Sequence, residues 1–246
     1  IRPDFIGRIL SAYEKVQPNL LMHEAGYPSA DDLRALVKHG IPKYGMQGVG
    51  DGMDTAGSEW IIRRLENDDD RPLWISVWGG ANTLAQALYK IDKTRSADEA
   101  RRLISKLRVY TISDQDDSGA WMRKTFPDLF YIVTPGDDYG QATWVAINNV
   151  HPGIDNTTIS NGWLAENIQQ DHGPLGAVYP DVAWGMEGDT PAYLGLIPNG
   201  LNVPEKPNWG GWGGRYELSI PDLNTTRDGG SVVAPEPETR PILTDA

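Results

Sequence analysis

Residues 73–119 constrain the fold more than any other part of the chain, because two strand-like runs there bracket segments of helical period. Leu73 to Val77 is apolar and β-branched, and Trp78-Gly79-Gly80-Ala81-Asn82-Thr83 follows as a turn. Leu84, Ala85, Ala87, Leu88 and Ile91 then recur at helical spacing. Ser96 and Glu99 form a capping-box pair that opens a further helix, ending at Lys106. Val109, Tyr110, Thr111 and Ile112 make the second strand, which stops at Ser113. Strand, helix and strand in this order predict an α/β fold with a mostly parallel open sheet flanked by helices.

Asp114, Asp116 and Asp117 follow that second strand within four residues. Ligands of open α/β sheets sit beyond the carboxyl ends of the strands, so acids placed there project into a binding crevice. The alternative is a solvated turn capping a helix that begins near Ser118. Asn82 and Thr83 likewise either cap their helix or offer oxygens to a metal or a sugar. Glu187 and Asp189 precede Thr190-Pro191, a helix start, and are ordinary capping residues or, with the three Asp, the hard-oxygen set that Ca²⁺ demands.

Elsewhere, Phe5, Ile6, Ile9, Leu10, Tyr13 and Val16 predict a packing helix ended by Pro18, and Ser29 with Asp32 opens a second one closed by His39 and Gly40. His39 reads as a partner of that helix's C-terminal dipole. The glycines of 45–57 resemble a phosphate loop only weakly, because no Lys-Ser/Thr follows. A helix over 55–66, strands near 129–133 and 141–147, and a helix from Ser160 follow. His172 is a general acid or, beside Gly173, a helix-end partner. Trp209-Gly210-Gly211-Trp212-Gly213-Gly214 places two rings on a glycine-rich backbone, as a stacking platform or a packed lid. From Asp222 onward Pro, Gly and acids dominate, so 1–221 is predicted as one α/β domain and 222–246 as a tail.

Composition narrows the partners. A net charge of −12 disfavours nucleic acid, which needs a basic stripe. Nine Trp and ten Tyr against three Phe favour rings that carry a polar handle, suited to sugar or heterocycle faces. The chain has no Cys, which removes disulfides, thiolate nucleophiles and zinc-thiolate sites. No apolar run approaches membrane-spanning length. The sequons at Asn156 and Asn224 are compatible with a secreted glycoprotein, and Ile1 enters almost directly into a helix, as if something before it were removed.

The succession RPLWISVWGGANTLAQAL, KLRVYTISDQDDSG, FPDLFYIV, HGPLGAVYP, EGDTPAYLGLIPNGL and WGGWGGRYEL resembles the cellulose-binding, nucleoside-hydrolase-like family of secreted microbial proteins, nearly to Leu218. That resemblance implies a nucleoside-hydrolase-like fold, a secreted location and a carbohydrate or nucleoside ligand. Residues 79–85 are similar to the nucleoside-hydrolase turn whose backbone carbonyl binds Ca²⁺, which falls on Asn82. Gly188-Asp189-Thr190-Pro191 is similar to those enzymes' late His-Asp-Pro, whose Asp is a metal ligand; Gly188 stands in the place of the His. Nothing before Asp31 matches their first aspartate cluster. By resemblance roughly the first two βα units lie outside this chain, and the domain continues past Ala246.

Three functions follow. As a hydrolase acting on glycosyl bonds, the protein would use Asp189 and Asn82 for Ca²⁺, with Asp114, Asp116 and Glu187 as catalytic acids lining the sugar pocket. As a cellulose-binding module, it would hold a glucan on Trp78, Trp121, Trp209 and Trp212, with Asn82 and His172 as polar contacts. A structural extracellular protein whose acids are only caps is the third possibility.

Overall fold

The computed structural model describes residues 3–133, 157–182, 189–197, 200, 202–220 and 225–227. In chain order the elements are α1 (Pro3–His23), α2 (Ala30–Leu36), α3 (Ala56–Glu66), β1 (Leu73–Val77), α4 (Asn82–Thr94), α5 (Ala97–Ser105), β2 (Leu107–Thr111), α6 (Ser118–Thr125) and β3 (Phe130–Val133). Then come α7 (Asn161–Leu164), which runs into a π-turn at Ala165–Gln169, α8 (Gly173–Gly176), α9 (Pro191–Leu194), β4 (Glu217–Ile220) and β5 (Thr225–Arg227).

The strands form one sheet in the order β1-β2-β3-β5-β4, parallel except for the antiparallel edge strand β4. This is the mostly parallel open sheet, flanked by helices, that the alternating pattern predicts. Strand register sorts the side chains into two layers, since neighbours along a strand point to opposite faces. Ile75, Val109 and Tyr131 lie in one row and join Leu65, Leu88, Ile91, Leu103 and Met122 in the main core, beneath α3 to α6. Ser76, Tyr110 and Ile132 form the adjacent row on the other face. There Tyr110, Ile112 and Ile132 pack with Ala192 of α9 and with Tyr216, and Trp74 and Phe130 meet edge to face at 5.7 Å. A strand buried on both faces reads as a continuous apolar run, which is why β2 was legible.

Several local expectations hold at the level of single caps. Ser29 accepts from Asp32 N, Thr55 and Ser58 cap α3 reciprocally, and Ser96 accepts from Glu99 N at 3.3 Å. Others are corrected. Pro18 does not end the first helix: α1 runs through it to His23. An interior proline removes its own N–H from the ladder and crowds the carbonyl four residues earlier, which weakens a helix without always ending it. Just before it, Tyr13 Oη and Gln17 Nε2 donate to the carbonyl of Pro28, at 2.8 and 3.0 Å, which ties the helix to the turn before α2. Because α2 ends at Leu36, His39 is not its dipole partner, and its carbonyl accepts from Gly57 N at 2.8 Å instead. Asn82 and Thr83 do not cap α4; the N-cap is Ala81, with no side-chain cap bond.

Within the stretch read as a tail, residues 225–227 form β5, whose Thr225 and Thr226 pair with Tyr131 and Ile132. Three residues are too few to display an alternation. The strand expected over 141–147, the sequons at Asn156 and Asn224, and Glu187 lie outside the described residues.

Candidate functional site

The C-terminal ends of β1 and β2 stand side by side, with Val77 opposite Thr111. The turns that leave them therefore share one rim, and Asp116 packs so closely on Gly80 that a Cβ there would overlap its carboxylate. Four polar side chains on this rim are held by the protein. Asp114 receives a two-pronged bond from Arg123, at 2.8 and 2.6 Å, with both side chains largely buried. Asp116, 7% exposed, accepts from Ser118 N at 2.9 Å and from the Ser118 hydroxyl, closing the turn into α6. Asp117 accepts from Met46 N at 2.8 Å. Asn82 Nδ2 donates to the Lys43 carbonyl at 2.6 Å, so its amide fastens the preceding loop.

That loop, which includes a 3₁₀ turn at Gly45–Gly48, is strapped to α4. Gln86, 2% exposed, accepts from Gly50 N at 2.7 Å and donates to Gly50 O at 3.0 Å and to Asp54 at 2.8 Å. The amides of Met46 and Gly50 are thus committed to side chains, which rules out reading the stretch as a phosphate cradle. Neither Gln86 nor Arg123 was singled out by sequence. The one available signal was the spacing: a basic residue on the helix after an acidic strand end can reach back to it.

Arg123 also lies over the Tyr131 ring, 5.1 Å from its centre. Burial is the main cause that pushes the Tyr131 phenol from its ordinary value up to about 12. The folded protein therefore holds this proton more tightly than the unfolded chain. The associated stability is complete below about pH 10, where an unfolded tyrosine titrates, and is lost as pH climbs through about 12. Tyr131→Phe is expected to flatten the fall in denaturation midpoint between these values. Identical pH slopes for the two proteins would refute this.

On the opposite face, residues 202–216 form a loop clamped to the sheet and to α9. Tyr216 Oη donates to Gly213 O at 2.6 Å and contacts Tyr110 Oη, with the two rings edge to face at 5.7 Å. Asn202 Nδ2 donates to the Gly195 carbonyl. A Cβ on Gly213 would come within 2.6 Å of Pro191 O and 2.8 Å of Gly195 N, both backbone atoms, so only glycine fits. From this fixed loop Trp209 and Trp212 project with 61% and 52% of their surface exposed. Trp78, 53% exposed, directly follows β1, the strand whose Ser76 bonds to Ala192 of α9 at 3.4 Å.

The remaining candidates are placed elsewhere. Trp121 packs against the main core, edge to face with Phe126 at 5.6 Å. His172 is exposed, precedes α8 and meets the Gln170 carbonyl through Nδ1 at 2.5 Å, while α8 itself packs on α1. Asp189 is partly buried at the start of α9, where its carbonyl accepts from Ala192 N at 3.1 Å. Among the described residues no three His, Asp or Glu side chains gather as a metal-holding set. Ca²⁺ takes six to eight oxygens, and among the described residues Asp114, Asp116 and Asp117 each accept hydrogen bonds from within the protein.

The chain belongs to the family described as the cellulose-binding Sde182, nucleoside hydrolase-like domain, whose pattern matches residues 1–216. Its fold is accordingly nucleoside-hydrolase-like. A solved structure similar to it is that of a nucleoside hydrolase-related hypothetical protein from Saccharophagus degradans, associated with carbohydrate metabolism. The two are 36% identical and superpose with a TM-score of 0.77, over 99% of this chain and 57% of the other. The chain thus spans little more than half the length of that protein. No curated protein matches it.

Proposed function

We propose that this protein binds cellulose-type glucans, with Trp209 and Trp212 as the stacking surface and Trp78 as a further ring. The observation that carries this reading is the pair of tryptophans more than half exposed on a loop that glycine packing holds rigid. Exposing two large rings is unfavourable in water unless a ligand covers them, and the apolar faces of glucose units match indole faces. A rigid loop also loses little entropy on binding. The family description and the carbohydrate association of the similar structure agree with it. Cellulose is an extracellular polymer, so the reading includes a secreted location, checked by recovery of the native protein from culture medium.

A stacked ring contributes on the order of 1–1.5 kcal/mol, so Trp209→Ala and Trp212→Ala are each expected to weaken cello-oligosaccharide binding about tenfold. The double variant is expected to lose about a hundredfold, with little change in Tm because both rings are exposed. Calorimetric affinities unchanged in the double variant would remove the proposal.

The second reading is hydrolysis of a glycosyl bond. It is tested on the full-length protein with nucleosides and short β-glucans, with Ca²⁺ and with chelator. Turnover that depends on Ca²⁺ and falls in Asp189→Ala would replace the binding reading by a metal-dependent hydrolase.

A further inference from the structure

Around Trp60 the charge balance of the molecule is locally inverted. Lys38 Nζ lies 5.2 Å from the Trp60 ring centre, Arg63 Cζ 5.3 Å and Arg64 Cζ 5.8 Å. In a chain with 34 acids against 22 Lys and Arg, three cations on one ring would be expected to find carboxylates. The acids of the same helix are drawn to its other side. Glu59 pairs with Lys90 of α4 at 2.5 Å, and Glu66 pairs with Arg95 at the end of α4 at 2.5 Å. Among the described residues neither Arg63 nor Arg64 forms an ion pair, and Lys38 bonds only to the carbonyl of Ala35. Part of the arrangement serves the helix, since both arginines sit in its last turn, where cations oppose the dipole. The dipole accounts for their being basic. It does not account for the convergence of Lys38 from another segment on the same indole.

We infer that Lys38, Arg63 and Arg64 form an accessory site for the carboxylates of acidic, uronate-bearing polysaccharides, with Trp60 as the shelf that holds the cations in place. An arginine resting on an indole has already lost much of its side-chain freedom, so less is lost when it meets an anion. A guanidinium matches a carboxylate with two parallel hydrogen bonds. The net charge of −12 repels long dense polyanions, whereas a short uronate segment need touch only this patch. The choice of a sugar acid over an acidic peptide rests on the carbohydrate reading above. The site is separate from the Trp209 and Trp212 loop, so the two can fail independently.

The test compares binding of oligogalacturonate, its carboxyl-reduced neutral form, oligoglutamate and polyphosphate to the full chain at low and physiological salt. Oligogalacturonate is expected to bind, the reduced form not to bind at this site, and affinity to fall with salt. Arg63→Gln/Arg64→Gln is expected to lose roughly tenfold for oligogalacturonate while cello-oligosaccharide affinity stays unchanged. Trp60→Leu keeps all three charges and is expected to weaken binding several-fold, an effect simple charge attraction would not produce. Both arginines are exposed, so the double variant remains folded, as an unchanged Tm would verify. Absence of oligogalacturonate binding, indifference to the arginine pair, or equal affinity for oligoglutamate or polyphosphate would each overturn the inference. Loss of cellulose binding in Trp209→Ala/Trp212→Ala with oligogalacturonate binding retained supports a second, independent site.

Discussion

Arg123→Ala is expected to destabilise the protein by about 3 kcal/mol, lowering Tm by roughly 6–12 °C for a chain of this length. The reason lies in what is left behind. Side-chain exposures of 13% and 21% mean that Arg123 and Asp114 met at the cost of most of their hydration. Removing the guanidinium strands a carboxylate whose two oxygens were both bonded to it, against the buried ring of Tyr131. Burial works against the charge on Arg123, yet the Asp114 bonds outweigh it and raise its pKa. Arg123→Lys restores the charge without the fork and is expected to recover only part of the loss. In Asp114→Ala/Arg123→Ala neither charge remains, so the combined loss is expected to be smaller than the two single losses added together. A single-variant loss below about 1 kcal/mol in chemical denaturation would mean that water reaches the pair and screens it. Because the pair lies away from the tryptophan loop, cellulose binding at low temperature is expected to survive in all these variants.

Gln86→Glu is expected to lower stability by about 2–4 kcal/mol, more than Gln86→Ala at neutral pH. One amide here satisfies a backbone N–H, a backbone carbonyl and the Asp54 carboxylate at once. Glutamate keeps the acceptor for Gly50 N but turns an oxygen toward Gly50 O and toward Asp54, two acceptors that cannot bond to it. Alanine leaves the same groups unpaired but admits water, since Asp54 is 40% exposed at its side chain. Acidification separates the two variants: protonating the new carboxyl restores a donor, so Gln86→Glu is expected to regain stability below about pH 5 and Gln86→Ala is not. Equal stability of the two variants at all pH values would show that the loop detaches without resistance.

The architecture was legible where local and global requirements coincide. Val109 to Ile112 is β-branched and aromatic because β2 is covered on both faces, and Ser29, Thr55 and Ser96 each sit at a helix start that their side chains close. The motif resemblance gave the family directly, over residues 1–216. What stayed hidden depends on partners distant in sequence. Asp114, Asp116 and Asp117 read as acids facing a crevice or as a solvated capping turn, whereas Arg123 holds Asp114 and the Met46 amide holds Asp117, and nothing in the spacing of 114–117 identifies an amide about seventy residues earlier. The anchoring of the Gly-rich stretch at 45–57 stayed hidden for the same reason, since its anchor, Gln86, lies on the far side of β1 in sequence. Trp209 and Trp212 were foreseen as a platform or a lid. Their exposure and the contacts of Gly213 distinguish a displayed surface from a packed one.

The strand order carries a consequence for how the chain comes together during synthesis. β4 precedes β5 in sequence, yet β5 lies between it and β3. A nascent chain that has emerged only as far as β4 has no neighbour ready for it, and the outer edge of β3 stays open with its amides and carbonyls unmatched. Closure waits for three residues, Thr225 to Arg227, to slot in from far along the polypeptide, a long-range pairing of the kind that slows assembly and leaves a sticky edge while it is pending.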